Sequence, residues 1–193
     1  QGYSSAASDV YKRQGLKVTV STAMFPSGHP ATREGLVYDE PRWDGKTCLE
    51  YTPGGKMLDI REDKKKVGAF LNPVRKDVRK FALSIVREIV KNYDVDAYAL
   101  DYCRYPGDDS DFSIDSQKAF ERYLGKKIQN FPDDIFTWNT DGTKKPGIYY
   151  KEWWAFRANV ITSFVKEVRK EIHSINKKVE LEYWAASCIH GIY

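Results

Sequence analysis

Cysteine is scarce, with three in 193 residues: Cys48, Cys103 and Cys188. An odd number at such wide spacing gives neither a disulfide framework nor a metal-ligand pattern, and it leaves the redox compartment open. Histidine is as rare: His29, His173 and His190 stand singly, so no metal site is implied. No apolar run approaches the ~18–20 residues of a membrane span. No strand end carries the glycine-rich turn of a dinucleotide fold, and there are no repeats or low-complexity linkers. A strong charge of one sign is missing too. Lys plus Arg number 31 against 27 Asp plus Glu, a net charge of +4. The lysines fall in short scattered runs such as 64–66, 126–127, 144–145 and 177–178, which argues against nucleic-acid binding.

What is abundant is aromatic. Phe, Trp and Tyr make up 14% of the chain, with five Trp and thirteen Tyr. This exceeds what a core needs, and a carbohydrate-stacking surface is one use for the surplus. At 41% apolar and 30% charged the chain is globular. Residues 1–14 show no period and no charged-then-apolar leader. They resemble translated adaptor sequence, and the domain is taken as residues 15–193. The last residues follow an apolar strand without a cap, so the chain reads as a fragment cut at both ends.

Periodicity predicts an alternation of strands and helices. Residues 16–23 (LKVTVSTA) read as a strand running into the turn-rich FPSGHP. An irregular stretch over residues 32–66 holds turn signals at Asp44-Gly45 and Pro53-Gly54-Gly55. Residues 68–71 are a short apolar run. From Val74, apolar residues at 78, 81, 82, 85, 86, 89, 90 and 93 trace an amphipathic helix, with Pro73 near its first turn. Residues 97–101 (AYALD) predict a buried strand, and residues 113–124 a helix stopped by Gly125. A long helix follows Pro146-Gly147, carrying Trp153, Phe156, Val160, Ile161, Phe164, Val165, Val168, Ile172 and Ile175. Residues 179–186 (VELEYWAA) predict the last strand. This order is that of parallel βα units. The polar and aromatic strand ends favour a (β/α)8 barrel, whose enzymes build their sites there. Barrels need ~250 residues, so the fold expected is α/β, about half of a TIM barrel with four of its strands. Leu100 and Tyr183 are expected to point inward, and the isolated chain to be aggregation-prone and inactive.

The strand ends also hold the candidate chemistry. Asp101 closes AYALD, with Tyr102, Arg104 and Tyr105 beside it. A carboxylate on a rigid strand near an arginine suits a nucleophile or a stabiliser of transition-state charge; a structural Asp101–Arg104 ion pair is the plainer alternative. Glu180 and Glu182 point to one side of their strand, Glu180 reading as a solvated strand start and Glu182 as a candidate acid/base. Glycosidic cleavage needs two carboxyl groups across the bond, which Asp101 and Glu182 on neighbouring strands could supply. His29 and His190 follow strand ends as candidate hydrogen-bond donors to a sugar or as exposed loop residues. Trp184, Tyr102 and Tyr105 could stack on a pyranose or pack in a core. Cys103 and Cys188 lack the partners of a thiol nucleophile.

The segment AFLNPVRKDVRKFALSIVREIVKNYDVDAYALDYCRYP resembles the core signature of the glycoside-hydrolase-like family 10 proteins. The matching residues are Asn72, Pro73, Val78, Arg79, Asn92, Tyr93, Asp94, Val95, Asp96, Asp101, Arg104, Tyr105 and Pro106. Residues 153–187 are similar to that family's Trp-Arg helix and following strand, in a branch resembling α-amylase-like barrels of gut bacteria. The resemblance implies a (β/α)8 barrel, glycan hydrolysis without a cofactor, and a secreted or envelope location in bacteria. It carries Asp101 over by motif but not Glu182, because the YWAAS strand end departs from the family's pattern. Asn72, Tyr102, Arg104, Tyr105, Trp184, His29 and His190 are expected to line the site around a carbohydrate substrate. A barrel that binds glycans without cleaving them is the alternative.

Overall fold

The computed structural model describes residues 10–184. They fall into two compact units: residues 10–24, 80–103 and 165–184 in one, residues 25–79 and 104–164 in the other. In chain order the elements are β1 (Thr19–Ala23), a one-turn α1 (Leu36–Asp39), β2 (Leu49–Tyr51), β3 (Met57–Asp59), α2 (Lys76–Asn92), β4 (Ala97–Asp101), α3 (Ile114–Leu124), β5 (Phe136–Trp138), β6 (Lys144–Pro146), α4 (Tyr150–Ile175) and β7 (Glu180–Tyr183). No helix among the described residues is long and apolar enough to cross a membrane.

The first unit is built on a three-stranded parallel sheet in the order β1-β4-β7. AYALD takes the centre because a strand covered on both faces needs continuous apolar or small residues. Ala97, Tyr98, Ala99 and Leu100 are all buried. Register with β1 runs from Thr19–Ala97 to Ala23–Asp101, and with β7 from Ala97–Glu180 to Leu100–Tyr183. The near end is pinned by Asp96, whose carboxylate accepts the Val18 N–H at 2.8 Å and receives Lys12 at 3.3 Å. The Val18 N–H, then Lys12, hold this carboxyl below its ordinary range. Helix α2 buries Val78, Ala82, Val86 and Val90, one residue per turn. Val20 of β1 shares a shallow depression with Ile85 and Ile89 of α2 and with Tyr93. The sheet face holding Val20 is therefore the helix side.

Residues 68–71, expected as a fourth parallel strand, do not join this sheet. They instead make isolated antiparallel bridges, Pro26 with Phe70 and Thr47 with Leu71. Their backbone groups are shared between two extended segments: Leu71 N–H donates to Phe25 O, while Cys48 N–H donates to Phe70 O. Pro73 likewise does not open a helix. Asn72 Oδ1 accepts the Val74 N–H at 3.0 Å, and the resulting turn delays α2 to Lys76. Two hairpins, β2-β3 and β5-β6, occupy stretches without period, because three-residue strands are too short to show alternation. Leu100 and Tyr183 are also corrected. They pair in register on the helix side with Thr22, not on the opposite face.

The second unit uses the aromatic surplus as core. Trp153 is fully buried, stacked on Phe112 with centroids 5.1 Å apart and edge-on to Phe120 at 4.9 Å. Tyr51, Phe136 and Phe156 extend the cluster. Much of the aromatic surplus is thus consumed by packing, Tyr105 among the rings expected to stack. Helix α3 stops at Gly125 as its sequence predicts, and the structure adds an N-terminal cap. Ser113 accepts the Ser116 N–H at its start, and Gly125 ends it at φ 72°, a left-handed turn. Trp153→Ala should lower unfolding free energy by ~3–5 kcal/mol in urea titrations.

Near the start of α2, Asp77 accepts from Arg75 at 3.1 Å and pairs with Lys46 at 2.9 Å. Arg75, then Lys46, hold its carboxyl well below the usual carboxylate range. A depressed folded pKa stabilises the protein above the unfolded value of ~3.9, and the gain is lost as pH falls through the folded pKa. The side chain is 43% exposed, so screening keeps the contribution under ~1 kcal/mol. Urea midpoints measured between pH 7 and pH 2.5 should fall less in Asp77→Asn than in the wild type.

Candidate functional site

Asp101 closes β4 at its C-terminal end and is half-buried. Its Oδ1 accepts the N–H of Tyr102 at 2.8 Å, and its carbonyl accepts the Met24 N–H at 2.9 Å. Tyr102 adopts φ +45°, a left-handed conformation that a bulky side chain rarely takes. Such outliers cluster at functional sites. Here the turn aims the Tyr102 N–H back at the carboxylate it follows.

Glu182 pairs in register with Ala99. Asp101 lies two residues beyond Ala99 on the same strand, so Asp101 and Glu182 share one face of the sheet. That face is opposite the helix side. With strands ~4.8 Å apart and a rise of ~3.3 Å per residue, their Cα atoms are offset diagonally by ~8 Å. This spans the separations used by both retaining and inverting glycosidases once side-chain length is included. The ladder continues past β7, since Trp184 N–H donates to Leu100 O at 3.0 Å. Trp184 therefore alternates onto the Asp101–Glu182 face, with 55% of its surface exposed. Glu180 is exposed at the strand start, 3.6 Å from Lys17.

The other expected residues belong to the second unit or fall outside the description. Arg104 is half-buried, donates Nη1 to Tyr105 O at 3.2 Å and lies over Phe70. His29 is exposed in a tight turn, bridged to Glu34. Asn72 and Tyr105 are corrected from sugar contacts to interior residues. Asn72 is buried, its Nδ2 bonded to Asp111 and Ser113 and its Oδ1 to Val74. Tyr105 is buried beneath Arg157. His190 and Cys188 lie outside the described residues. Among the described residues, no three His, Cys, Asp or Glu side chains gather in a metal-holding group.

Two charged clusters of the second unit left no trace in the sequence pattern. Asp111 is fully buried and accepts from Leu49 N–H, Asn72 Nδ2, the Ser113 N–H and Oγ, and Ser116 Oγ. Burial pushes its carboxyl up, and these donors oppose the shift. Glu50, buried in β2, pairs with Lys66 at 2.6 Å, and Lys66 also reaches Asp109 at 3.1 Å. Burial raises the Glu50 carboxyl, with Lys66 opposing. Only folding joins these partners, which lie up to 62 residues apart. The spaced family signature, by contrast, is visible in sequence but mostly structural. Arg79, for example, donates to Pro73 O, Val160 O and Ser163 Oγ.

The sequence profile of Glycosyl hydrolase-like 10 matches residues 60–186. The chain belongs to this family. An S-layer-related protein of Niallia circulans is 34% identical over 192 residues; the match covers 95% of this chain and 12% of that protein. The chain thus spans a small part of this curated relative. Among solved structures, alpha-L-fucosidase isoenzyme 2 from Paenibacillus thiaminolyticus matches with a TM-score of 0.58 at 15% identity. That match covers 94% of this chain and 22% of the fucosidase, and it is a likeness of fold. The glycosyl hydrolase-like family thus presents here an α/β chain whose parallel strands carry two carboxylates on one face. Replacing Asp111 by Asn should cost ~3 kcal/mol or more, because one oxygen of the hub becomes a donor facing donors. Chemical denaturation with unchanged m-value checks this.

Proposed function

We propose that the chain is part of a glycoside hydrolase acting on a poly- or oligosaccharide. In this reading the sheet β1-β4-β7 is an arc of a (β/α)8 barrel, and its Asp101–Glu182 face is the barrel interior. Asp101 acts as nucleophile or charge stabiliser and Glu182 as acid/base. Trp184 offers a stacking surface and Tyr102 a further sugar contact on this unit; on the second unit, Arg104 and His29 are proposed as sugar contacts of their own. The observation that carries this is the shared face of Asp101 and Glu182 on adjacent parallel strands, with Asp101 at the C-terminal end, where barrel enzymes assemble their sites. Family membership supports the chemistry, and the S-layer-related relative supports a cell-envelope location.

In mechanism, a carboxylate pair works by division of labour. One group must be ionised to meet positive charge at the anomeric carbon, the other protonated to release the leaving oxygen. The Tyr102 N–H donates to Asp101 Oδ1 and fixes the direction of that carboxylate at the strand end. Glu182, with one more methylene, can lean along the strand towards the bond from its diagonal position. No cofactor takes part in this scheme.

A glycan-binding barrel without hydrolysis is the second reading, favoured by a relative whose name refers to the S-layer rather than to an enzyme. Asp101→Asn in the full-length protein should lower turnover by orders of magnitude and leave glycan affinity nearly intact. Glu182→Gln should lower turnover and remove one limb of the pH–rate profile. Turnover of both variants within a few-fold of wild type, or binding without any turnover in the wild type, would favour the binding protein.

A further inference from the structure

Arg157 of α4 is a buried cation, 5% exposed, with no carboxylate in direct contact among the described residues; Asp108 and Asp111 act on it only through space. Its guanidinium carbon lies 4.4 Å from the Tyr105 ring centroid and 4.5 Å from that of Trp154. Nη2 donates to Gly107 O, while Nε and Nη1 have no partner. The Tyr105 hydroxyl is equally buried and unpartnered.

An apolar side chain of similar volume would fill this position at lower cost, since an uncompensated buried charge is destabilising. Arginine supplies two things that an apolar residue cannot: attraction to ring faces and a planar set of donors. Outside its own helix, both of these go to residues 105–107. That segment directly follows Arg104, whose own Nη1 donates to the Tyr105 carbonyl. Tyr105 thus lies under the guanidinium, and Arg104 is its half-exposed neighbour, lying also over Phe70.

We propose that Arg157 is a positioning residue, holding residues 104–107 in the conformation that presents Arg104 to a glycan. The proposal rests on the reading of the chain as glycan-acting. Arg157 touches no sugar, and its effect reaches the ligand only through the segment it clamps. Loss of the clamp frees the segment while leaving the helix that carries it intact.

Two measurements on the full-length protein test this, using Arg157→Met and Arg157→Lys. In hydrogen exchange, the peptide covering residues 104–109 should exchange ~10-fold faster in Arg157→Met and less so in Arg157→Lys, with α4 protection unchanged. If Arg157→Met fails to fold, Arg157→Lys carries the same comparison; unchanged exchange in the folded variant overturns the proposal. In glycan kinetics, Arg157→Met should raise KM ~10-fold with kcat little changed, and adding Arg104→Ala should cost little more. Fully additive losses would reduce Arg157 to a packing role and overturn it. A wild-type protein that neither binds nor cleaves glycans would sink the glycan reading alone, and hydrogen exchange would still decide what Arg157 does.

Discussion

The parallel pairing of Ala97–Asp101 with a strand on each side fixes almost everything that matters in the first unit. Because side chains alternate with a period of two, one register assigns every residue of three strands to a face at once. Val20, Tyr98, Leu100 and Leu181 go to the helix side, and Asp101, Glu182 and Trp184 go to the other. A one-residue slip of β7 would send Glu182 to the helix side and leave Asp101 without a carboxylate neighbour. The Asp96 bond to the Val18 N–H is therefore more than a local cap. It starts β1 and β4 in register, while the Asp96 carbonyl, accepting the Glu180 N–H at 2.9 Å, starts β7 in the register that places the candidate site.

The second unit solves a different problem. Its strands are short, its loops long, and its order comes from an aromatic core and from buried polar hubs. Asp111 gathers the β2 strand, the Asn72 turn and the α3 N-terminus onto one carboxylate. Buried polar networks of this kind specify one arrangement when every member is satisfied. Glu50, Lys66 and Asp109 tie a strand to two loops in the same way. Arg157 differs, because its direct contacts are rings and a carbonyl, while Asp108 and Asp111 act on it only through space. That difference is what marks it as a residue with a task beyond filling space.

Family signature and chemistry overlap only in part. Asn72, Arg79, Asp96 and Tyr105 all belong to the spaced motif that resembles the glycosyl hydrolase-like family, yet each is engaged inside the protein. Asp101 belongs to the same motif and lies half-exposed at a strand end. Glu182 and Trp184 lie outside that motif and join Asp101 through sheet register. A spaced motif thus records the parts that build a framework as readily as the parts that act on a ligand.

The sequence by itself determined the α/β alternation, the span of α2, α3 and α4, the central apolar strand and the family. Each of these is written in local pattern: apolar spacing, a Gly stop, an unbroken run of small and apolar residues. Tertiary structure alone decided that residues 68–71 bridge two extended segments, that the aromatics form a core, and that Leu100 and Tyr183 face the helices. It alone joined Asp111 to Asn72, Glu50 to Lys66 and Arg157 to Tyr105. The reason is physical. Periodicity reports which residues seek burial, but a partner dozens of residues away, and the face on which two strands place their carboxylates, exist only once the chain has closed on itself.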